Sequence, residues 1–322
     1  MCLTIQVKPF AFHLKEEMRN AQGIINKKEG WLIQISDELN NFGWGEVSTF
    51  KSSELKLCEN LLKQISGQCS RSFLDKKKQD WPSPLIFGIY SALAELDGLI
   101  GGKNQKEWLY PPQSAILIPD ITSNFHKIDQ ILKDSLKQEK SLTFKVKVAI
   151  QSPTKEKEIL DHLLSLLPMS SRLRVDANGG WTRNQANFWV HNLSKESKVE
   201  WVEQPLPAGD IEGLYQLSKE MPIALDESLT QYPELRNEWP NWQIRRPSLE
   251  GDPTYLLKEL EAGKGFRNIS TSFETGIGLR WVNHFAALQN KGATPVAPGL
   301  ATNWCPKSDL FSNDPKIVWE AV

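Results

Sequence analysis

Apolar and polar positions follow two rhythms along the chain. Residues 3–12 alternate in the manner of a strand. Residues 30–36 and 42–48 flank a polar turn, which predicts an antiparallel hairpin. Residues 53–65 and 83–99 carry apolar side chains at helical spacing. The polar stretch between them, with Lys76, Lys77 and Lys78 in a row, reads as a solvated loop. Beyond Pro111 and Pro112 short apolar runs alternate with longer helical segments. Runs at 115–118, 144–150, 173–175, 199–202 and 223–225 are separated by helical stretches near 125–138, 155–167, from 183, and near 211. Repeated βα units of this kind predict a parallel sheet.

The residues that end these runs decide whether the sheet is open or closed. Lys147, Asp176, Glu203, Asp226, Arg246 and Ser270 follow one another at intervals of 20 to 29 residues, about one strand, helix and return loop each. In a (β/α) barrel such positions share one ring at the C-terminal mouth, whereas an open sheet spreads them apart. The expected architecture is therefore a barrel.

Composition narrows the function. Of 322 residues, 38 are Lys or Arg and 39 are Asp or Glu, a formal charge of −1. That balance offers no footprint for nucleic acid or an anionic membrane. The longest apolar stretch is broken by Glu95 and Asp97, so no membrane span is expected. The first residues show no basic-then-apolar leader, and a cytoplasmic protein acting on a small molecule is expected. Four scattered cysteines and five dispersed histidines form no zinc or redox pattern, and no phosphate-binding glycine loop is present. The pattern says nothing of oligomeric state.

Asp176, Glu203 and Asp226 would bring three carboxylates to one pocket. Such a set repels itself and is costly to desolvate unless a cation lies among its members. All-oxygen donors suit a hard ion such as Mg²⁺. Lys145 and Lys147, two apart on one strand, point to the same face. Set beside one another and a metal, their pKa values are expected to be lowered, which suits a general base.

Several stretches together resemble the enolase superfamily. They are Trp44-Gly45-Glu46-Val47-Ser48, the Pro82 to Glu95 region, Phe144-Lys145-Val146-Lys147, residues 173–178 and Glu203-Gln204-Pro205. The same order continues through Ala224-Leu225-Asp226-Glu227-Ser228, Arg246-Pro247-Ser248-Leu249, residues 270–274 and Pro298-Gly299-Leu300. The resemblance implies an α/β fold, an enolase-type modified (β/α)-barrel at 112–300 with an N-terminal α+β capping domain at 1–111. Residues 301–322 would return to the cap, and a mobile cap loop at 19–26 would close over substrate.

Within the superfamily the match points to dehydratases that aromatise a succinyl-hydroxycyclohexadiene carboxylate on the way to menaquinone or phylloquinone. It implies Asp176, Glu203 and Asp226 as ligands of Mg²⁺, with Mn²⁺ as a possible substitute. Lys147 would be the base, forming an enediolate, with Lys145 beside it. Ser270, Thr271 and Gly299 would hold the succinyl tail, while Arg174 and Asn178 would support the metal ligands. One position departs from the family pattern. Arg246 stands where a lysine is usual, and an arginine does not act as a base. It can supply fixed charge or stack on a ring. Racemases and epimerases acting on acylated amino acids or dipeptides, which need an acid/base on each face, are therefore the less favoured branch.

Overall fold

The computed structural model describes residues 2–101, 106–118, 125–138 and 142–322. Its N-terminal part is an antiparallel sheet backed by helices. Strand β1 (Cys2–Asn20) runs into β2 (Gly23–Ser36), followed by β3 (Phe42–Ser48), and β4 (Gly67–Ser70) closes the order β3-β2-β1-β4. Helices α1 (Ser52–Ile65), α2 (Arg71–Lys77) and α3 (Ser83–Leu96) complete this cap. Alternation lets the long β1/β2 ribbon serve two cores. Leu3, Ile5, Ile33 and Ile35 pack with Cys58, Leu62, Leu85 and Ile89 of the helices. Phe10, Phe12, Leu14 and Met18 instead meet Phe273, Ile277, Trp304 and Val318 from the C-terminal half.

Two expectations for this region change. The stretch around the triple lysine is not a solvated loop, because it contains β4 and α2. Lys78 reaches across to Asp252 at 2.5 Å and lies 4.1 Å from the centre of the Tyr90 ring. Its ammonium is thereby spent on tying cap to barrel, which a run of like charges does not reveal. The segment 19–26 is also not a loop. It is the far end of the β1/β2 ribbon, with Arg19 paired to Ile24 and Asn20 to Gly23 across a tight turn. A register shift between His13 and Met18 lets the ribbon extend this far.

The second part follows the βα rhythm. It runs β5 (Ile116–Leu117), α4 (Phe125–Gln138), β6 (Thr143–Lys147), α5 (Pro153–Leu166), β7 (Arg172–Asp176), α6 (Arg183–Leu193), β8 (Val199–Glu203), α7 (Ile211–Leu217) and β9 (Ile223–Ala224). These five strands form one parallel sheet. Short helices α8 (Glu227–Gln231) and α9 (Leu235–Glu238) lead to β10 (Gln243–Arg245), α10 (Pro253–Glu261), β11 (Arg267–Ile269) and α11 (Gly276–Asn290). Parallel bridges Leu225–Gln243 and Ser270–Gly299 carry the ring onward, and Ala115 N–H donates to the Pro298 carbonyl beside β5. The sheet is thus closed into a barrel. Helix α12 (Pro315–Glu320) lies back against the cap, where Trp319 meets Trp44 and Lys8 donates to its carbonyl. Among the described residues no helix is long and apolar enough to cross a membrane.

Tight backbone packing holds the cap together, and buried charge ties it to the barrel. A Cβ on Gly45 would lie 1.8 Å from the Gly88 carbonyl oxygen, so β3 and α3 touch backbone to backbone. Glu95 of α3 accepts from Arg280 of α11 at 2.8 Å. Burial nevertheless pushes the Glu95 carboxyl up to about 7, against the pull of Arg280.

Two predictions follow from this contact. G45A forces strand and helix apart and should cost on the order of 3 kcal/mol in urea unfolding; an unchanged midpoint would contradict the packing. Folded Glu95 keeps a proton that the unfolded chain releases near pH 4.5. This group therefore removes stability as pH rises from about 4.5 to about 7. The variant E95Q should show a flatter stability profile across that window, measured by thermal melts in a pH series.

Candidate active site

Alternation on the barrel strands sorts charge from grease. On β6, Phe144 and Val146 face the helices and join the barrel core, as Leu173 and Val175 do on β7. Lys145, Lys147, Arg174 and Asp176 occupy the opposite, inward face. Glu203 ends β8, Asp226 comes two residues after β9, and Arg246 and Ser270 directly follow β10 and β11. The charged strand ends do converge, as one barrel mouth requires.

Their contacts form a chain of ions. Lys145 Nζ lies 2.7 Å from both oxygens of Glu203 and 2.9 Å from Asp176. Lys147 Nζ donates to Asp176 at 3.0 Å and to Asn178 Oδ1 at 2.8 Å. Across the mouth, the Arg246 guanidinium grips both oxygens of Asp226, with Nε at 2.8 and 3.1 Å. Its Nη1 donates to the Thr271 carbonyl.

Burial works against the anion of Asp176, yet the two lysines hold it well below the usual carboxylate range. Glu203 goes the other way. Burial, and then the Asp176 charge, push it up to about 8. Glu227 is pushed up to about 7 by burial and its neighbour Asp226. The lowered pKa expected for Lys145 is not found. Burial does disfavour its charge, but Asp176 and Glu203 outweigh that and hold it above the ordinary lysine value. Arg246 is likewise held up by Asp226 against its own burial.

Four carboxylates, those of Asp176, Glu203, Asp226 and Glu227, thus face three cations. Glu227 Oε2 is buried with no hydrogen-bond partner. Among the described residues, no three His, Cys, Asp or Glu side chains surround one point as a ready-made metal centre. Lys145 and Arg246 stand at the carboxylates instead. The donor chemistry nevertheless fits a hard divalent ion, because the set is all oxygen, buried and short of positive charge. Asp176, Glu203 and Asp226 could hold such an ion once Lys145 and Arg246 swing aside.

A small cavity opens beside these groups. It is lined by Lys145, Lys147, Arg246, Ser270, Thr271 and Gly299. Six residues singled out from the sequence therefore line one cavity. Asn178 joins them through Lys147, and its side chain also donates to Glu227 at 3.0 Å. Arg174 does not. It lies deeper in the barrel, bonded to Glu200 and the Ala297 carbonyl and stacked 4.0 Å from the Trp201 ring. Glu200 and the Ala297 carbonyl hold it toward the barrel floor, while its register partner Lys145 reaches the cavity.

Other contributors were not singled out from the sequence. Met18, Leu117 and Phe273 supply the apolar wall. At the ribbon tip, Gln22 donates to Glu227 and to the Asn178 carbonyl, and a Cβ on Gly180 would strike Ala21 at 2.5 Å. Gln204 receives the N–H groups of Asp226 and Ser228 on its side-chain oxygen, pinning the loop after β9. Asn178 and Gln204 both adopt left-handed backbone, φ 44° and 37°. Strained turns of this kind persist where surrounding contacts enforce them. The Glu203-Gln204-Pro205 run was the one available signal for Gln204.

Comparison with known proteins agrees with this geometry. Residues 129–238 match the family model described as enolase C-terminal domain-like. An o-succinylbenzoate synthase of Thermosynechococcus vestitus is 31% identical over 265 residues, covering 78% of this chain and 77% of the relative. An L-Ala-D/L-Glu epimerase of Clostridium acetobutylicum is 24% identical, covering 67% of this chain and 65% of that one. Among solved structures, o-succinylbenzoate synthase from Thermosynechococcus elongatus BP-1, complexed with Mg in its active site, superposes with a TM-score of 0.77. That pair is 26% identical and covers 99% of this chain and 100% of the other. The chain belongs to the enolase superfamily.

The ion chain makes a stability prediction. K145M leaves Asp176 and Glu203 buried without their shared cation, which should cost about 3–5 kcal/mol without divalent metal. Millimolar MgCl₂ should recover much of that loss. Urea unfolding with and without the salt checks both halves.

Proposed function

We propose that this chain is an o-succinylbenzoate synthase. It would convert 2-succinyl-6-hydroxy-2,4-cyclohexadiene-1-carboxylate to 2-succinylbenzoate and water, in menaquinone or phylloquinone synthesis. The observation that carries this reading is the asymmetry of the pocket. One wall offers Lys145 and Lys147, while the facing wall offers Arg246, a permanently charged guanidinium. One acid/base is enough to remove a proton and then protonate a departing hydroxyl. Removing a proton on one face and returning it on the other needs two.

Lys147, held by Asn178 and opening onto the cavity, takes the proton beside the substrate carboxylate in its uncharged form. As the ring becomes aromatic, the same ammonium gives that proton to the hydroxyl, which leaves as water. Asp176, Glu203 and Asp226 would hold Mg²⁺ or Mn²⁺, and the ion would supply positive charge to the substrate carboxylate as its neighbouring proton departs. Lys145 adds charge beside that carboxylate. Arg246 presents a planar cation to the ring. Ser270, Thr271 and Gly299 offer hydroxyls and backbone to the succinyl arm. Met18 and Phe273 cover the apolar side, and the ribbon tip excludes water.

The test is aromatisation of the cyclohexadiene substrate, followed by absorbance with Mg²⁺ and with excess chelator. Metal-dependent turnover is expected, and K147A should lose about 10²–10⁴-fold while keeping its circular dichroism spectrum. No turnover in the metal-loaded protein, together with epimerisation of dipeptides or N-succinylamino acids in deuterated water, would replace this reading with the epimerase one.

A further inference from the structure

A second buried charge cluster lies outside the ion chain, where cap and barrel meet. Glu274 follows β11, and its carboxylate receives three donors in four contacts. Thr271 Oγ1 donates at 2.5 Å, Ser272 N–H lies 3.0 Å from each oxygen, and Ser248 Oγ donates from the loop after β10. One carboxylate thus joins the loop carrying Thr271 to the loop carrying Arg246. Thr271 Oγ1 also accepts from Phe273 N–H at 2.8 Å, and Phe273 is held in left-handed backbone, φ 61°. Both side chains line the cavity. The Thr271 carbonyl receives Arg246 Nη1.

The cap supplies the other half of the cluster. Glu46 of β3 accepts from Thr275 N–H at 2.8 Å, Thr275 Oγ1 at 2.6 Å and Gly278 N–H at 3.2 Å, clamping the start of α11. Both carboxylates crowd Gly278, where a Cβ would meet Glu46 Oε2 at 2.8 Å and Glu274 Cβ at 2.9 Å. Lys28 of β2 is 1% exposed, makes no hydrogen bond through Nζ, and lies 4.1 Å from the Phe50 ring centre. It shares a face of the β2/β3 pair with Glu46, since Gly30 stands opposite Ser48 and Leu32 opposite Glu46; burial lowers its pKa to about 8, while Glu274 and Glu46 pull the other way. An unpaired buried ammonium is costly unless nearby anions need it.

We propose that Glu274 is a positioning residue that sets Thr271 and Phe273 for the substrate arm, and that Lys28 from the cap is its counter-charge. Cap docking and the shape of the arm pocket then become one event. Glu274 touches neither the cavity nor the ion chain and works through the hydroxyl of Thr271. The substrate half of this inference rests on the dehydratase reading, while the structural half does not.

The experiment uses the full chain and the variants E274Q, K28M and the double variant. Hydrogen exchange by mass spectrometry should show peptides spanning 270–275 exchanging at least tenfold faster in E274Q, with β6 to β8 unchanged. K28M should show the same local signature. The double variant should be less perturbed than the two single effects combined, because neither charge is then left alone. In the aromatisation assay E274Q should raise KM about tenfold with kcat within threefold, and T271V with E274Q should be no worse than E274Q alone.

Unchanged exchange at 270–275, or faster exchange spread over the whole chain, would overturn the proposal. So would a fall in thermal stability with KM unmoved. Wild-type protein without dehydratase activity would remove the substrate half, and the exchange result would still decide the role of Glu274.

Discussion

Buried carboxylate in excess of buried cation is the condition around which the barrel mouth is organised. Asp176, Glu203, Asp226 and Glu227 are drawn to one place by strand geometry, and each would leave it if free to do so. Lys145, Lys147 and Arg246 meet part of that demand. The remainder shows in the raised Glu203 and Glu227 carboxyls and in the unpartnered Glu227 oxygen. A site tuned this way favours any hard cation that enters, and it holds lysines close to where a substrate carboxylate would lie. On the proposed reading, the same imbalance underlies both metal binding and base chemistry.

The cap completes what the barrel begins. Its ribbon brings Met18 to the cavity and Gln22 to Glu227 and Asn178, while Glu46 and Lys28 set the charge around Glu274. Pairs at Glu95–Arg280 and Lys78–Asp252 tie the two parts together, while backbone contact at Gly45 packs the cap itself. The arm end of the pocket is consequently shaped by residues from both halves of the chain. Arginine at 246 fits this arrangement as a permanent charge, because its guanidinium keeps its proton whatever it faces, and its Nη1 also reaches the Thr271 carbonyl.

Much of this was legible in the chain itself. Apolar runs ending in single charges at barrel intervals gave the closed sheet and brought Lys147, Asp176, Glu203, Asp226 and Arg246 together. The Lys145–Lys147 spacing gave their shared face. What stayed hidden depends on contacts distant in sequence. Arg174 shares the inward parity of Asp176, and only the depth of the barrel separates floor from mouth. The ribbon at 19–26 lacks a hydrophobic face strong enough to read as strand, since cross-strand pairing and Gly180 hold it. Lys28, Glu46 and Glu274 come from three separate segments that no local spacing connects. The pKa of Lys145 follows from two carboxylates that outweigh its burial, and a repeat of like charges does not announce that balance.

The most direct measurement is a crystal structure of the protein grown with Mg²⁺. The account predicts one ion held by Asp176, Glu203 and Asp226, with Lys145 and Arg246 moved off those oxygens and Lys147 still beside Asn178. An ion bound elsewhere, with Lys145 still seated between Asp176 and Glu203, would contradict it.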